Sequence, residues 1–430
     1  MNYYKRTADA LLQDLLDAFG AVLIEGPKWC GKTTTASQLA NSILRMQDPS
    51  MREEYLATAK TKPSILLKGD TPRLIDEWQD APMLWDAVRT TVDDRQIPGQ
   101  FILTGSNAVD KSQIHHSGAG RIARLRMLPM SLWESQESTG EVSLKELFNN
   151  PDYDIDGKMS KMTVEDLIFA ASRGGWPASL LARTPKAQLL VAKNYVQTIC
   201  SDDVSGIDGK KRDAKLTSMI LRAYARNVST LVKKKSLLDD VTSSGEVSCH
   251  VDTFDDYVSA LEKLFVIQNI SAWCPAIRSK TPIRSSVKRC FCDPSIPIAL
   301  LGLSPESLSM QLRTFGFIFE QMCIRDLKAY TIDLNSHVSY YHDRYDLEAD
   351  IVLHLEDGRY ALIECKLGSS EIDEGAKHLL ELKRLIQEHN KTEKQVPIRE
   401  PDLLIVMTGG TMAYSRPDGV KVIPLACLKD

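Results

Sequence analysis

One short segment of the 430-residue sequence limits the fold more than any other feature. Residues 26–33 spell G-P-K-W-C-G-K-T and match the pattern G-x-x-x-x-G-K-[ST]. The apolar run Ala21–Ile24 precedes this segment, and a helix-compatible run, residues 34–40, follows it. A buried strand, a glycine-rich loop and a helix in this order are typical of a phosphate-binding loop in an α/β fold with a parallel sheet.

Each fixed position of this loop has a chemical purpose. Glycines let backbone N–H groups surround a phosphate, and the N-terminus of the next helix adds its positive dipole. Lys32 is predicted to reach the β- and γ-phosphate oxygens, and Thr33 to offer its hydroxyl to Mg²⁺. We therefore predict ATP and Mg²⁺ as cofactors, with nucleotide contacts from Gly26, Pro27, Lys28, Trp29, Cys30, Gly31, Lys32, Thr33 and Thr34.

A site of this class also needs a carboxylate for the metal and a base for the attacking water. The run Leu74-Ile75-Asp76-Glu77 supplies both, with Asp76 predicted to bind Mg²⁺ and Glu77 to polarise the water. The alternative is an ordinary acidic strand end. A second β-like run, residues 101–104, is followed by small polar residues, and Ser106 and Asn107 are both candidates for a polar sensor of the γ-phosphate.

Several arginines could act as an arginine finger on a neighbouring subunit. A finger supplied in trans would make the protein a homo-oligomer. The glycine-rich context of residues 118–121 favours Arg121, although a single surface arginine is more often only a solvated charge. The candidates are Arg95, Arg121, Arg124 and Arg126.

Composition excludes several classes of protein. The hydrophobic fraction of 43% and the charged fraction of 26% are ordinary for a globular chain and exclude collagen-like and wholly disordered chains. The longest apolar runs fall far below the about 18 residues that a membrane span needs. Nine cysteines without CxxC pairs, and an amphipathic N-terminus without a signal-peptide core, predict a cytoplasmic protein that does not enter the membrane. The cysteines near residue 290 could suggest zinc, but their spacing favours buried thiols.

The net charge of −4 conceals two basic clusters. Residues 205–235 contain nine lysines and arginines against two aspartates, and residues 272–292 contain five with no acid. Clustering of this kind predicts contacts with the phosphate backbone of DNA. Helical patterning at 252–265 and a β-like run after it fit a winged helix, with residues 278–289 as the wing. The alternative is a solvated helix face followed by a charged loop.

A carboxylate pattern lies near the C-terminus. Asp350 begins one predicted strand, and Glu364-Cys365-Lys366 ends the next, with the turn signal Glu356–Arg359 between them. Side chains alternate along a strand, so Glu364 and Lys366 share a face. This matches the PD-(D/E)xK nuclease pattern, in which two carboxylates hold Mg²⁺ and the lysine activates water. Glu320 is the candidate for the acid that such folds add from a preceding helix.

Several segments of the sequence resemble prokaryotic AAA-type P-loop ATPases that carry a C-terminal domain of unknown function. The resemblance covers essentially the whole chain and implies an AAA-like ATPase core, a winged-helix middle and a restriction-endonuclease-like end. We therefore expect an AAA-like domain at 1–150, a helical and winged-helix DNA-binding region at 160–300 and a nuclease-like domain at 305–430. The segments are TPRLIDEWQ (71–79), FILTGS (101–106), HSGAGR (116–121), LPMSLWE (128–134) and RGGWP (173–177).

These observations predict an ATP-hydrolysing enzyme that acts on DNA. Two alternatives remain open at this point. One is a metal-dependent DNA endonuclease gated by ATP, and the other is a signalling or protein-remodelling switch.

Overall fold

The computed structural model divides by packing into two compact units. The first contains the residues up to Pro129 together with Lys263–Phe265, and the second contains Met130–Glu262 and Val266–Asp430. The structure describes residues 3–106, 117–243, 245, 247–273, 275, 286–343, 345–392 and 397–430.

The first unit alternates helices and strands along the chain, as the sequence predicts. Its elements are α1 (Ala8–Ala18), β1 (Ala21–Glu25), α2 (Lys32–Leu39), β2 (Ser42–Arg45), α3 (Arg52–Thr61), β3 (Arg73–Asp76), α4 (Met83–Arg95), β4 (Phe101–Gly105) and β5 (Ile122–Arg126). The five strands form one sheet in the order β2-β3-β4-β1-β5, and every pairing is parallel. This confirms the predicted α/β fold with a parallel sheet.

The central strands explain why the sequence folds this way. Every residue of β1 and β4 is buried, as expected for parallel strands that are covered on both faces. A core that includes Trp78 and Trp85, whose rings lie 5.1 Å apart, covers part of this sheet. Because β1 lies beside β4, and β4 beside β3, the carboxyl ends of these three strands meet at one edge of the sheet.

The second unit combines a helical region with a mixed sheet. The sheet has six strands in the order β11-β12-β10-β9-β8-β7, with antiparallel pairing from β7 to β9 and parallel pairing of β10 with β9 and β12. The elements are β6 (Val142–Ser143), α5 (Leu144–Asn149), α6 (Val164–Arg173), α7 (Pro177–Leu180), α8 (Pro185–Thr198), α9 (Val204–Gly206), α10 (Ala214–Arg226), α11 (Lys234–Thr242), α12 (Val251–Lys263), α13 (Ser295–Leu300), α14 (Pro305–Ser309), α15 (Leu312–Tyr330), β7 (His337–His342), β8 (Glu348–His354), β9 (Tyr360–Lys366), α16 (Ile372–Thr392), β10 (Leu403–Thr408), β11 (Tyr414–Ser415), β12 (Lys421–Pro424) and β13 (Leu428–Lys429).

The boundary of the first unit lies about twenty residues before the position that the sequence indicates. Residues 130–149 pack in the second unit, where the Leu132 amide donates to Asp326 Oδ2 at 3.0 Å and β6 pairs with β13. The turn-rich stretch 149–161 is also tied to the second unit by backbone hydrogen bonds such as Gly157 N to Ala413 O at 3.0 Å.

In the helical region, α10, α11 and α12 are followed by a short antiparallel ladder. Gln268 N donates to Cys290 O at 2.9 Å, and Ile270 N donates to Lys288 O at 3.1 Å. Three helices followed by a hairpin is the element order of the expected winged helix. Residues 276–285, which hold most of the predicted wing, lie outside the described residues.

The C-terminal elements run in the order helix α15, strands β7, β8 and β9, helix α16 and strand β10. The turn after β8 closes with hydrogen bonds from Leu355 N to Arg359 O and from Gly358 N to Leu355 O. Helices α15 and α16 both contact β9. No helix among the described residues is long and apolar enough to cross a membrane, and the eight cysteines described are free thiols.

Candidate functional site

The phosphate-binding loop joins the carboxyl end of β1 to the first residue of α2. Two of its glycines have backbone angles that favour glycine, with φ of +151° at Gly26 and +101° at Gly31. A Cβ atom at position 26 would lie 2.3 Å from the Met127 carbonyl oxygen. The loop therefore needs glycine at this position to keep its path beside the chain that follows β5.

Lys32 is folded over the loop that precedes it. Its buried Nζ donates to the carbonyl oxygens of Gly26 at 2.9 Å and Pro27 at 2.8 Å. These bonds hold the ammonium group inside the curve of the loop, where the sequence predicts the phosphates to bind. The residues present therefore fit a polyphosphate, because its anionic oxygens are stronger acceptors than the two carbonyls.

A shared hydrogen-bond acceptor joins the loop to the neighbouring strands. Asp76 Oδ1 accepts a hydrogen bond from Thr33 Oγ1 at 2.7 Å and another from Thr104 Oγ1 at 2.7 Å. The predicted metal ligands Thr33 and Asp76 are thus adjacent, which is the arrangement that a P-loop Mg²⁺ site requires. Sequence reasoning missed Thr104, which lies opposite Asp76 in the register of β3 and β4.

Glu77 follows β3 in a left-handed conformation, with φ of +55°. Its Oε2 accepts a hydrogen bond from Gln79 Nε2, and Ser106 Oγ lies 3.5 Å from the same oxygen. Burial raises the pKa of Glu77, and the contact with Gln79 and the charge of Lys32 lower it only in part. The structure thus brings the predicted base and one predicted sensor together, while the other, Asn107, lies outside the described residues.

Arg121 lies near the amino ends of the strands, whereas the loop follows the carboxyl end of β1. It directly precedes β5, whose first residue pairs with Ala21 at the amino end of β1, about 13 Å along the strand from the loop. Its Nε donates to Asp93 Oδ1 at 2.7 Å. Arg121 therefore cannot contact a phosphate held by its own chain, and its action in trans stays a prediction.

Two other candidate arginines lie nearer the loop. Arg124 Nη1 is 3.4 Å from Glu25 Oε2, and Arg126 Nη2 is 3.9 Å from Glu25 Oε1. Arg126 pairs in register with Glu25, the residue directly before the loop, and its side chain is 58% exposed. Both arginine side chains are exposed whereas Glu25 is buried, so each guanidinium group remains accessible to a second anion from solvent.

In the second unit, the predicted nuclease residues cluster around the carboxyl end of β9. Glu364 is fully buried, and its Oε2 lies 3.0 Å from Lys366 Nζ. Asp350 Oδ2 accepts a hydrogen bond from the Cys365 amide at 2.9 Å. Burial and the charge of Asp350 raise the pKa of Glu364 to about 9, against the opposing charge of Lys366.

Lys288 changes the interpretation of this cluster. In the sequence, Lys288 is one of the cations of the predicted wing. In the structure, its side chain is buried. Its Nζ lies 2.5 Å from Glu320 Oε1, 2.9 Å from the Asp350 carbonyl oxygen and 3.6 Å from Asp350 Oδ1. Burial raises the pKa of Glu320 to about 8, although Lys288 opposes this shift. An ammonium group therefore stands between two of the carboxylates predicted to hold a metal.

Four cations of the first basic cluster, residues 205–235, also have acidic partners. The partners are Asp208, Asp240, Asp255 and Asp256, three of which lie outside the cluster windows. The clusters therefore carry less free positive charge than the count along the sequence indicates. The pairs are Lys210–Asp256, Arg212–Asp208, Arg212–Asp256, Arg226–Asp240 and Lys234–Asp255.

Comparisons with known proteins divide the chain into three parts. Residues 18–136 match a family model described as an AAA domain. Residues 164–307 match a domain of unknown function (DUF8612), and residues 315–428 match another (DUF4143). The first match spans β1 to β5 and supports a P-loop core of the AAA type in the first unit. The other two descriptions assign no activity.

The similar proteins are distant. Uncharacterised proteins of Mycobacterium bovis and Mycobacterium tuberculosis are each 24% identical over 366 residues, which are 83% of this chain and 72% of the relative. A Walker-type ATPase of Pyrococcus abyssi matches with a TM-score of 0.41 and 12% identity, over 70% of this chain and 96% of that one. A RuvB variant of Thermotoga maritima matches with a TM-score of 0.24 and 18% identity, over 61% of this chain and 87% of that one.

The ion pair of Lys288 generates a stability prediction. Lys288→Met should lower the free energy of unfolding by about 3–5 kcal/mol at pH 8, because it leaves buried carboxylates without their cation. The loss should be smaller at pH 5. The pKa of Glu320 is raised in the folded state, so its carboxyl group is neutral below that pKa and becomes costly to bury as the pH rises through it.

Urea denaturation at both pH values measures the effect. Lys211→Met replaces an exposed lysine and serves as the control, with an expected change within about 0.5 kcal/mol. An equal loss at pH 5 and pH 8 in Lys288→Met would contradict the assigned ion pair.

Proposed function

We propose that the first unit binds ATP with Mg²⁺ and hydrolyses it. The observation that carries the proposal is the shared acceptor Asp76, which receives hydrogen bonds from Thr33 of the loop and Thr104 of β4. A bound Mg²⁺ would neutralise the negative charge that develops on the phosphates. Thr33 and Asp76 would hold the ion, and Thr104 would keep the carboxylate of Asp76 in position.

Lys32 and the loop would bind the phosphates. The ammonium group of Lys32 has two carbonyl acceptors, on Gly26 and Pro27, which the anionic oxygens of ATP would replace. The N-terminus of α2 follows the loop directly and adds a positive dipole at the same point. These contacts are electrostatic, so they support binding of a polyphosphate and do not select the base.

Glu77 would accept the proton of the attacking water at a carboxylate oxygen. Its pKa is raised by burial, which brings it closer to neutral pH and makes it a better base than a solvated glutamate. Gln79 and Ser106 lie at Oε2 of Glu77 and would orient it. Arg121 lies near the amino ends of the strands, away from the loop, so it would contact phosphates only in a neighbouring copy. We therefore retain a homo-oligomer as part of the proposal.

Two substitutions separate binding from hydrolysis. Lys32→Ala should remove ATP binding, because the phosphates lose their buried cation. Glu77→Gln should keep ATP binding and lower the turnover rate about 100-fold or more, because the amide cannot accept the proton.

Calorimetric ATP binding and phosphate release, measured on the same preparations, check both results. Lys60→Ala, at an exposed lysine of α3, is the matched control and should behave as the unsubstituted protein does. ATP binding or turnover that is unchanged in Lys32→Ala would exclude the assigned site.

As a second candidate function, we propose that the second unit acts on DNA. The specific observation is the element order α10, α11, α12 and antiparallel ladder, which fits a winged helix. The exposed face of α12 is acidic, with Asp252, Asp255 and Glu262, so this helix is a poor reader of a DNA groove. Contacts would come instead from the exposed lysines at 211, 215, 233 and 235. In the basic segment 272–292, Lys288 and Arg289 are buried, so its contribution would come from Arg278, Lys280 and Arg284, which lie outside the described residues.

The nuclease pattern suggests what this action would be. Glu364 and Lys366 lie together at the end of β9, with Asp350 and Glu320 beside them, and metal-dependent cleavage is the chemistry that these residue types support. Because Lys288 already forms ion pairs with Glu320 and Asp350, DNA binding without cleavage is the simpler form of the proposal. A protein-remodelling switch remains the alternative, and it predicts ATP turnover that is indifferent to DNA.

Binding to a labelled duplex at several salt concentrations tests the DNA proposal. Affinity should fall as salt rises. Replacing Lys211, Lys233 and Lys235 with alanine should weaken binding and make the salt dependence shallower, by about 0.9 in the logarithmic slope for each phosphate that the variant no longer neutralises. A matched variant carries alanine at Lys60, Lys62 and Lys68 of the first unit.

The same samples, incubated with Mg²⁺ or Mn²⁺, report cleavage. Binding that does not respond to salt, or that is equal in the two triple variants, would contradict the proposed surface. DNA products that disappear in Glu364→Gln would favour the endonuclease.

A further inference from the structure

The carboxylates at the end of β9 fall into two groups according to their cations. Lys288 Nζ lies within 3.6 Å of acidic oxygens on both Glu320 and Asp350. These two acids therefore already have a buried positive partner. Among the described residues, Lys366 is the lysine that pairs with Glu364, and its charge also acts on Asp350 and Glu348.

Glu364 is the residue whose environment is least satisfied. It is fully buried, and neither carboxylate oxygen has a hydrogen-bond partner among the described residues. Oε2 lies 3.0 Å from Lys366 Nζ in an ion pair, and Oε1 lies 3.8 Å from His378 Nδ1. Burying this group in its ionised form is costly, and a cation beside Oε1 would lower that cost.

Helix α16 supplies a nitrogen ligand to this carboxylate. His378 Nδ1 lies 3.8 Å from Glu364 Oε1 and is itself buried, without a hydrogen-bond partner in the part of the chain that the structure describes. Gly375, three residues earlier, permits the close approach of the helix, because a Cβ there would lie 3.2 Å from Glu364 Cβ. Ligand atoms of Glu348, Glu364 and His378 all lie within 4.8 Å of one another.

The charge of the cluster points to a divalent ion. Glu320, Glu348, Asp350 and Glu364 contribute four negative charges when ionised, and Lys288 and Lys366 contribute two positive charges. The remaining charge of −2 is the charge that one divalent cation neutralises. An imidazole nitrogen with two carboxylates is a donor set for first-row transition metals such as Zn²⁺ and Mn²⁺, whereas Mg²⁺ prefers oxygen ligands throughout.

We propose that Glu348, Glu364 and His378 form a binding site for one divalent transition-metal ion, with water completing the coordination. The site differs from the metal position that the nuclease pattern predicts, because it uses Glu348 and His378 in place of Asp350. It does not depend on ATP hydrolysis or on DNA cleavage. Lys366 would lie beside the ion and hydrogen-bond one of its water ligands.

Metal binding by the full-length protein tests the site directly. The chelator-treated, nucleotide-free protein should bind one Co²⁺ per chain, with the visible absorption of a site that contains a nitrogen ligand, and Zn²⁺ should displace it. His378→Ala and the isosteric Glu348→Gln should each weaken binding at least tenfold. His389→Ala, at an exposed histidine of the same helix, is the control and should bind as the unsubstituted protein does.

Further measurements test whether the variants are folded and whether the ion binds at the nucleotide site instead. Far-ultraviolet circular dichroism verifies that the variants fold, and Zn²⁺ should raise the melting temperature of the unsubstituted protein but not that of His378→Ala. Asp76→Asn, in the first unit, should retain the Co²⁺ site. Absence of binding by the unsubstituted protein, full affinity in either His378→Ala or Glu348→Gln, or loss of the site in Asp76→Asn would overturn the proposal.

Discussion

The geometry of the candidate nucleotide site in the first unit depends on one oxygen atom. Asp76 Oδ1 accepts hydrogen bonds from Thr33 and Thr104, which come from the loop after β1 and from β4. These three residues meet only because β3, β4 and β1 are adjacent and parallel, which brings their carboxyl ends to one edge. The same edge receives Lys32 and Glu77, so the sheet order fixes the geometry of the whole candidate nucleotide site.

A different constraint governs the second unit, where several charges are buried together. Lys288 offsets the cost of burying Glu320 and Asp350, but Glu364 keeps oxygens without hydrogen-bond partners among the described residues. Removing one partner from such a cluster costs more than the whole pair contributes, because it leaves a charge unpaired in a low dielectric. The cluster can therefore favour a bound cation whether or not the site is catalytic.

Local features of this protein are predictable from the sequence, and contacts between distant residues are not. The loop at 26–33 can be predicted because its strand, glycines and helix are contiguous. Thr104 requires the register of β4 against β3, which no local pattern contains. Lys288 resembles a surface cation in the sequence because its partners lie 32 and 62 residues away in the chain. The glycines beside Arg121 favour it as an arginine finger. In the fold, however, it precedes the amino end of β5, away from the loop at the carboxyl end of β1.

In the first unit, Asp76 is the carboxylate proposed to bind Mg²⁺. The most direct test compares ATP affinity with Mg²⁺ and with a chelator, in the unsubstituted protein and in Asp76→Asn. The amide retains an oxygen acceptor for Thr33 and Thr104 but carries no charge. We expect Mg²⁺ to tighten ATP binding only in the unsubstituted protein, with equal affinities of the two proteins in chelator. An undiminished effect of Mg²⁺ in Asp76→Asn would contradict the account.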